Sequence, residues 1–255
     1  MTPEKAPRLP SRFRNHLTRG ALLASFLAAA TAGTAQEITS ARYTDPTTRY
    51  AHGVLGDAIE HAGLEVTLSD GTTAKAFWPD TVVFEDTEPR LADVDGDGAP
   101  EVIVVESHER LGARMSVYGV TDGALKLLAA NDFIGRSNRW LAVVGAADLD
   151  GDGAVEIAYV DRPHLAKTLL IWRYSPGDNP GALTLVGSLP GVTNHRIGER
   201  DIAGGIRDCG SGPEMLVADA NWQRVLGVTF DGDSFRQTEL GPHKGRSSFA
   251  EAGSC

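Results

Sequence analysis

The stretch LADVDGDGAPEVIVVE, residues 91–106, returns as AADLDGDGAVEIAYVD, residues 146–161. Each copy places four carboxylates within nine residues, just ahead of an apolar run: Asp93, Asp95, Asp97 and Glu101 in one, Asp148, Asp150, Asp152 and Glu156 in the other. Like charges this close repel unless a cation sits between them. Calcium takes oxygen ligands, and alternating Asp residues in a tight turn aim their oxygens at one centre. Gly98 and Gly153, sixth in each loop, permit the sharp turn, and the backbone carbonyls of Ala99 and Ala154 are placed to add one ligand each. A helix-loop-helix calcium hand needs a bidentate Glu at position 12. That position is Val104 in one loop and Tyr159 in the other, inside β-forming runs. Glu101 and Glu156 at position 9 therefore close the sites, and the expected element is a calcium-bound β-hairpin.

The two loops start 55 residues apart, at Asp93 and Asp148. A weaker third copy, IRDCGSGPEMLVADA, begins at Ile206; Asp208 and Glu214 remain, while Ile206 and Gly210 stand where Asp ligands would be. Between the loops the chain reads as short extended runs separated by Gly, Asp, Asn and Pro, with a DGD hairpin turn at residues 231–233. Such periods of three or four strands predict radial repetition, an all-β propeller of about four short blades over residues 36–255. A β-sandwich with two similar hairpins is the alternative, but it gives no reason for the acidic loop to recur at one place in the repeat.

These loops resemble the repeats of FG-GAP/VCBS-type proteins and of the integrin α-chain propeller, whose pattern is Asp-x-Asp/Asn-x-Asp-Gly-x-x-Asp followed by a strand. The resemblance implies a loop between the first two strands of a blade, holding calcium through Asp93, Asp95, Asp97 and Glu101 at one site and Asp148, Asp150, Asp152 and Glu156 at the other. Both loops end in Glu where the family usually has Asp. The integrin-type ring has seven blades, whereas this chain has length for about four; the ring is then small, or it closes with another chain as a homo-oligomer.

Residues 1–35 differ from the rest. Lys5, Arg8, Arg12, Arg14 and Arg19 precede ALLASFLAAATA, an apolar run short of the ~20 residues a membrane span needs. A secretory signal peptide cut near Ala35 fits this pattern, with an uncleaved anchor as the alternative. The net charge of −10, less the leader's +4 from five basic residues and Glu4, leaves −14 on the mature chain. Nucleic acid and anionic membranes are poor partners for such a surface. Cys209 and Cys255, the two cysteines, suit an oxidising compartment, and a bridge between them would fasten the C-terminal tail to the metal-free third loop. The protein is expected in the periplasm or outside the cell.

No Gly-x-Ser-x-Gly elbow, phosphate-cradling loop, Cys-x-x-Cys pair or His-Glu-x-x-His segment is present. NHRIGERD, residues 194–201, is the densest polar cluster, read either as a binding loop or as a solvated connection between blades. Trp78, Trp140, Trp172 and Trp222 recur about once per repeat; exposed, they would stack on sugars, and buried, they would pack between blades. The expected role is a binding module for a protein or glycan at the cell envelope, with a propeller-based hydrolase or a self-assembling structural module as alternatives. No membrane span is expected in the mature chain, and no catalytic residue can be assigned.

Overall fold

The computed structural model describes Met1, residues 36–177 and residues 181–255, so the leader and its cleavage point lie outside the described residues. No described helix is long and apolar enough to cross a membrane. From residue 36 onward the chain forms antiparallel strands and a single short helix among the described residues.

The acidic loops sit beside the strands that are buried most completely. Strand β6 (Glu101–His108) is covered along seven of its eight residues, and its alternating side chains enter two different cores, as the two-residue period of a strand requires. Val102 and Val104 join Leu64, Val66, Phe84 and Tyr118; Ile103 and Val105 join Met115, Trp140, Leu141 and Ile157. Strand β10 (Glu156–Asp161) does the same one repeat later: Ile157 and Tyr159 face that second core, whereas Ala158 and Val160 face a third with Met215, Val217 and Val228. Sheets covered on both faces explain why these strands read as continuous apolar runs.

The remaining elements build units around these strands. The first is β1 (Ile38–Thr47), β2 (Glu60–Leu68) and β3 (Thr73–Phe77). The second is β4 (Val82–Phe84), β5 (Arg90–Ala92), β6, β7 (Gly112–Thr121) and β8 (Ala124–Ala130), with β4 and β5 both paired to β6 as two pieces of one broken inner strand. The third is β9 (Leu141–Ala147), β10, β11 (Thr168–Ser175) and β12 (Ala182–Pro190); the fourth is β13 (Val192–Thr193), β14 (Gly205–Asp208), β15 (Pro213–Asp219), β16 (Arg224–Phe230) and β17 (Phe235–Pro242). Here β13 and β14 repeat the broken inner strand, both pairing with β15.

Hairpin turns follow the sequence cues. Asp122 and Gly123 both take positive φ, 54° and 72°, between the paired residues Thr121 and Ala124, the geometry of a two-residue type I′ turn. At the DGD turn, the Asp231 carboxylate accepts the backbone N–H groups of Asp233 and Ser234.

Where about four blades are expected, the described strands form three hydrogen-bonded antiparallel sheets of eight, four and five strands. One residue pair, His61 with Phe84, links β2 to β4 and merges the first two units. Closure of the units into a ring is not seen among the described residues. The fourth unit instead buries Leu216, Ala218 and Val225 beneath Phe249 of the helix α1 (Ser247–Gly253). The Cys209–Cys255 disulfide ties the chain end beside that helix, with Cα atoms 5.5 Å apart. The β1–β2 connection runs between distant parts of the chain: Tyr50 Oη accepts the Asn138 N–H, and the Val54 carbonyl accepts the Gly198 N–H.

Candidate metal centre

Both acidic loops bridge the inner strand of a unit to its most buried strand: residues 93–100 join β5 to β6, and residues 148–155 join β9 to β10. Their backbones are held by matching bonds. Asp93 accepts the N–H groups of Gly96 and Gly98 at 2.8 and 3.0 Å, and Asp148 accepts those of Gly151 and Gly153 at the same distances. Gly98 and Gly153 both have φ +92°, and a Cβ at either position would have nothing within 4 Å, so their requirement is backbone conformation rather than space. Between the first two Asp residues of each loop, a buried apolar residue, Val94 or Leu149, anchors the turn in the core.

The closing glutamates bind their loops in the same way. Glu101 Oε2 accepts the Val94 N–H and Glu156 Oε2 accepts the Leu149 N–H, both at 2.9 Å. Position 12 is excluded as a ligand, because Val104 and Tyr159 are buried in the strands.

Three of the four carboxylates in each loop come together. Asp93, Asp95 and Glu101 each offer an oxygen within 4.8 Å of the others, as do Asp148, Asp150 and Glu156. Asp97 and Asp152 stand outside these triads, each accepting the N–H of the residue expected to give a carbonyl, Ala99 or Ala154. The donor set is all oxygen and anionic, as a hard cation such as calcium requires. Bound there, the ion would offset most of the triad's charge and pin the loop to its strand.

The first loop carries its charge uncompensated: among the described residues none of its four carboxylates is in an ion pair. Burial, with Asp95, Asp97 and Asp93 adding to it, raises the Glu101 carboxyl to about 7. In the second loop Arg173, on β11 opposite Glu156, reaches three carboxylates. Its Nε donates to Glu156 Oε1 at 2.7 Å, its Nη2 to Asp150 Oδ2 at 2.8 Å, and its Nη1 lies 3.0 Å from Asp152 Oδ2. Burial raises Glu156 while Arg173 opposes the shift. In the third loop Glu214 is bound by Arg207 at 2.8 Å through Nε, and Asp208 accepts the N–H groups of Gly210 and Gly212.

Residues 93–159 match the FG-GAP-like repeat over a span that opens at the first loop and closes just beyond the second. These residues are an FG-GAP-like repeat. No curated protein matches the chain. Among solved structures, a crystal structure of a protein from Lactobacillus plantarum is similar at 13% identity, over 81% of this chain and 67% of that one, with a TM-score of 0.29.

A second polar cluster has no signature in the sequence. Glu85 is fully buried, receives the Ser107 hydroxyl, and has His52 Nδ1 at 2.7 Å from its Oε1. The Trp140 indole N–H donates to the Glu85 carbonyl at 2.7 Å. Asp86 pairs with Arg90 at 2.5 Å. Ser107 bonds the carboxylate rather than the imidazole, which is not the arrangement of a serine nucleophile. These residues are scattered along the chain, and no spacing rule would have joined them.

The segment 194–201 divides in two. Asn194 and His195 are buried, with His195 3.0 Å from His164, whereas Arg196 lies over the Trp222 ring at 4.3 Å. Trp140 is 2% exposed and Trp78, Trp172 and Trp222 are half-buried, so the tryptophans chiefly pack rather than form an exposed stacking surface.

Proposed function

We propose that this is an exported calcium-binding protein of propeller-type repeats whose work is to bind a protein or glycan at the cell envelope. The observation that carries the reading is the pair of carboxylate triads, held by the same backbone bonds at the same step of successive repeats. Asp93, Asp95 and Glu101, and Asp148, Asp150 and Glu156, would supply the side-chain oxygens, with Asp97, Asp152 and the carbonyls of Ala99 and Ala154 completing the shells after local rearrangement. The disulfide supports an oxidising compartment outside the cytoplasm, reached through a signal peptide over residues 1–35.

Calcium in this role orders hairpins rather than performing chemistry, and the ordered surface does the binding. A cavity of about 300 Å³ lined by His52, Arg139, Trp140, His164, Leu165 and Ile197 is one place for such contact. Leu165 and Ile197 at its rim are exposed apolar side chains, of the kind that marks interaction sites.

The test is a glycan array and a binding assay on intact envelopes, each run with calcium and with chelator. Saturable binding that needs calcium supports the reading. Turnover of ester, phosphate or glycoside substrates without such binding would replace it with the hydrolase alternative.

A further inference from the structure

Resting on that calcium reading, we infer that the two loops are not equivalent: Asp93–Glu101 is the strong divalent-cation site, and Arg173 serves as a built-in counter-cation of the Asp148–Glu156 loop, which a metal ion must displace. Both loops share their backbone bonds, their glycine conformations and their triad geometry. What differs is the residue across the hairpin. Tyr118 pairs with Val102, which sets Gly119 opposite Glu101; a Cβ on Gly119 would lie 3.7 Å from the Glu101 Cγ. The corresponding partner of Glu156 is Arg173.

The guanidinium takes the carboxylate oxygens that no backbone N–H holds. Leu149 N–H donates to Glu156 Oε2 and Asp152 N–H to Asp150 Oδ1, so Glu156 Oε1 and Asp150 Oδ2 are the oxygens of these two carboxylates without a backbone partner. Arg173 donates to both of these remaining oxygens. Arginine stays protonated at every accessible pH, so this cation cannot be removed by titration; it must swing away. Its side chain is 27% exposed, against 0% for Glu156, so a path outward exists. Moving it forfeits charge-assisted contacts to three carboxylates, and any ion bound beside it is repelled.

The third repeat extends the series. There the acidic ligands are reduced to Asp208 and Glu214, Arg207 holds Glu214, and a disulfide anchors the turn. The three repeats pass from an uncompensated loop, to one partly compensated by arginine, to one stapled covalently.

Calcium bound per chain, and its affinity, would be measured by equilibrium dialysis and titration calorimetry on the full chain. The variants are D93N/D95N, D148N/D150N, R173A and R173Q, with R173A and R173Q also combined with D93N/D95N to isolate the second loop. The wild type should hold one ion tightly and a second at least about tenfold more weakly. The tight ion should vanish in D93N/D95N and survive in D148N/D150N. In the D93N/D95N background, R173A or R173Q should tighten the remaining site by about tenfold or more. Two equal sites in the wild type, or a second site that weakens or stays unchanged without Arg173, would overturn the inference while leaving calcium binding intact. No bound calcium in any variant at millimolar supply would overturn the calcium reading itself.

Discussion

Glu60 opens strand β2 and is 3% exposed, and among the described residues it forms no ion pair. Burial, with the Glu85 charge next, raises its carboxyl from 4.5 to about 9. The folded state therefore binds one more proton here than the unfolded chain between those two values, and stability falls as pH rises across that window. It is fully present below 4.5 and has been lost once pH passes about 9. Each pH unit costs about 1.4 kcal/mol, so the loss reaches on the order of 4 kcal/mol by pH 7.5. Glu60→Gln keeps the shape and removes the charge. Relative to wild type, the variant should gain on the order of 1 kcal/mol at pH 5.5 and on the order of 4 kcal/mol at pH 7.5. Urea unfolding at both pH values, with calcium held constant, measures the two differences. A difference that does not grow with pH would show that Glu60 is not a buried neutral acid.

Replacing Cys209 and Cys255 by Ser opens a loop with a sequence separation of 46 residues and should cost about 4 kcal/mol on the chain-entropy account, measured by urea unfolding of the oxidised protein and the double variant. Gly98→Ala forces a Cβ onto a backbone at φ +92°; it should destabilise by about 1 kcal/mol or more and weaken calcium binding, with calorimetry as the check. Phe84→Ala empties a fully buried site between the first two units and should cost about 3–5 kcal/mol, read as a fall in denaturation midpoint.

Much of the metal centre is legible because its residues are close in sequence: the turn and the first residue of β6 carry Asp93, Asp95, Asp97 and Glu101, all named from spacing, but spacing does not tell that Asp97 stands outside the triad. Arg173 cannot, since it meets Glu156 only through the register of β10 with β11. The 55-residue period of the loops sets Arg173 against Tyr118, so its correspondence with Gly119 appears only when a one-residue gap is placed between the strands. The repeat period likewise gives the four units, but the merging of the first two through His61 and Phe84 depends on where a three-residue strand, β4, happens to pair. The helix α1 is seven residues long, too short for its periodicity to stand out. The Glu85, Ser107 and His52 cluster is assembled by tertiary packing alone.

Whether the acidic loops hold metal at all is decided by counting the calcium ions bound to the purified protein. After removal of metal by chelator and dialysis against buffered calcium, elemental analysis should find at least one ion per chain, lost on replacing Asp93 and Asp95 by Asn. Metal-free protein at millimolar calcium would contradict the account.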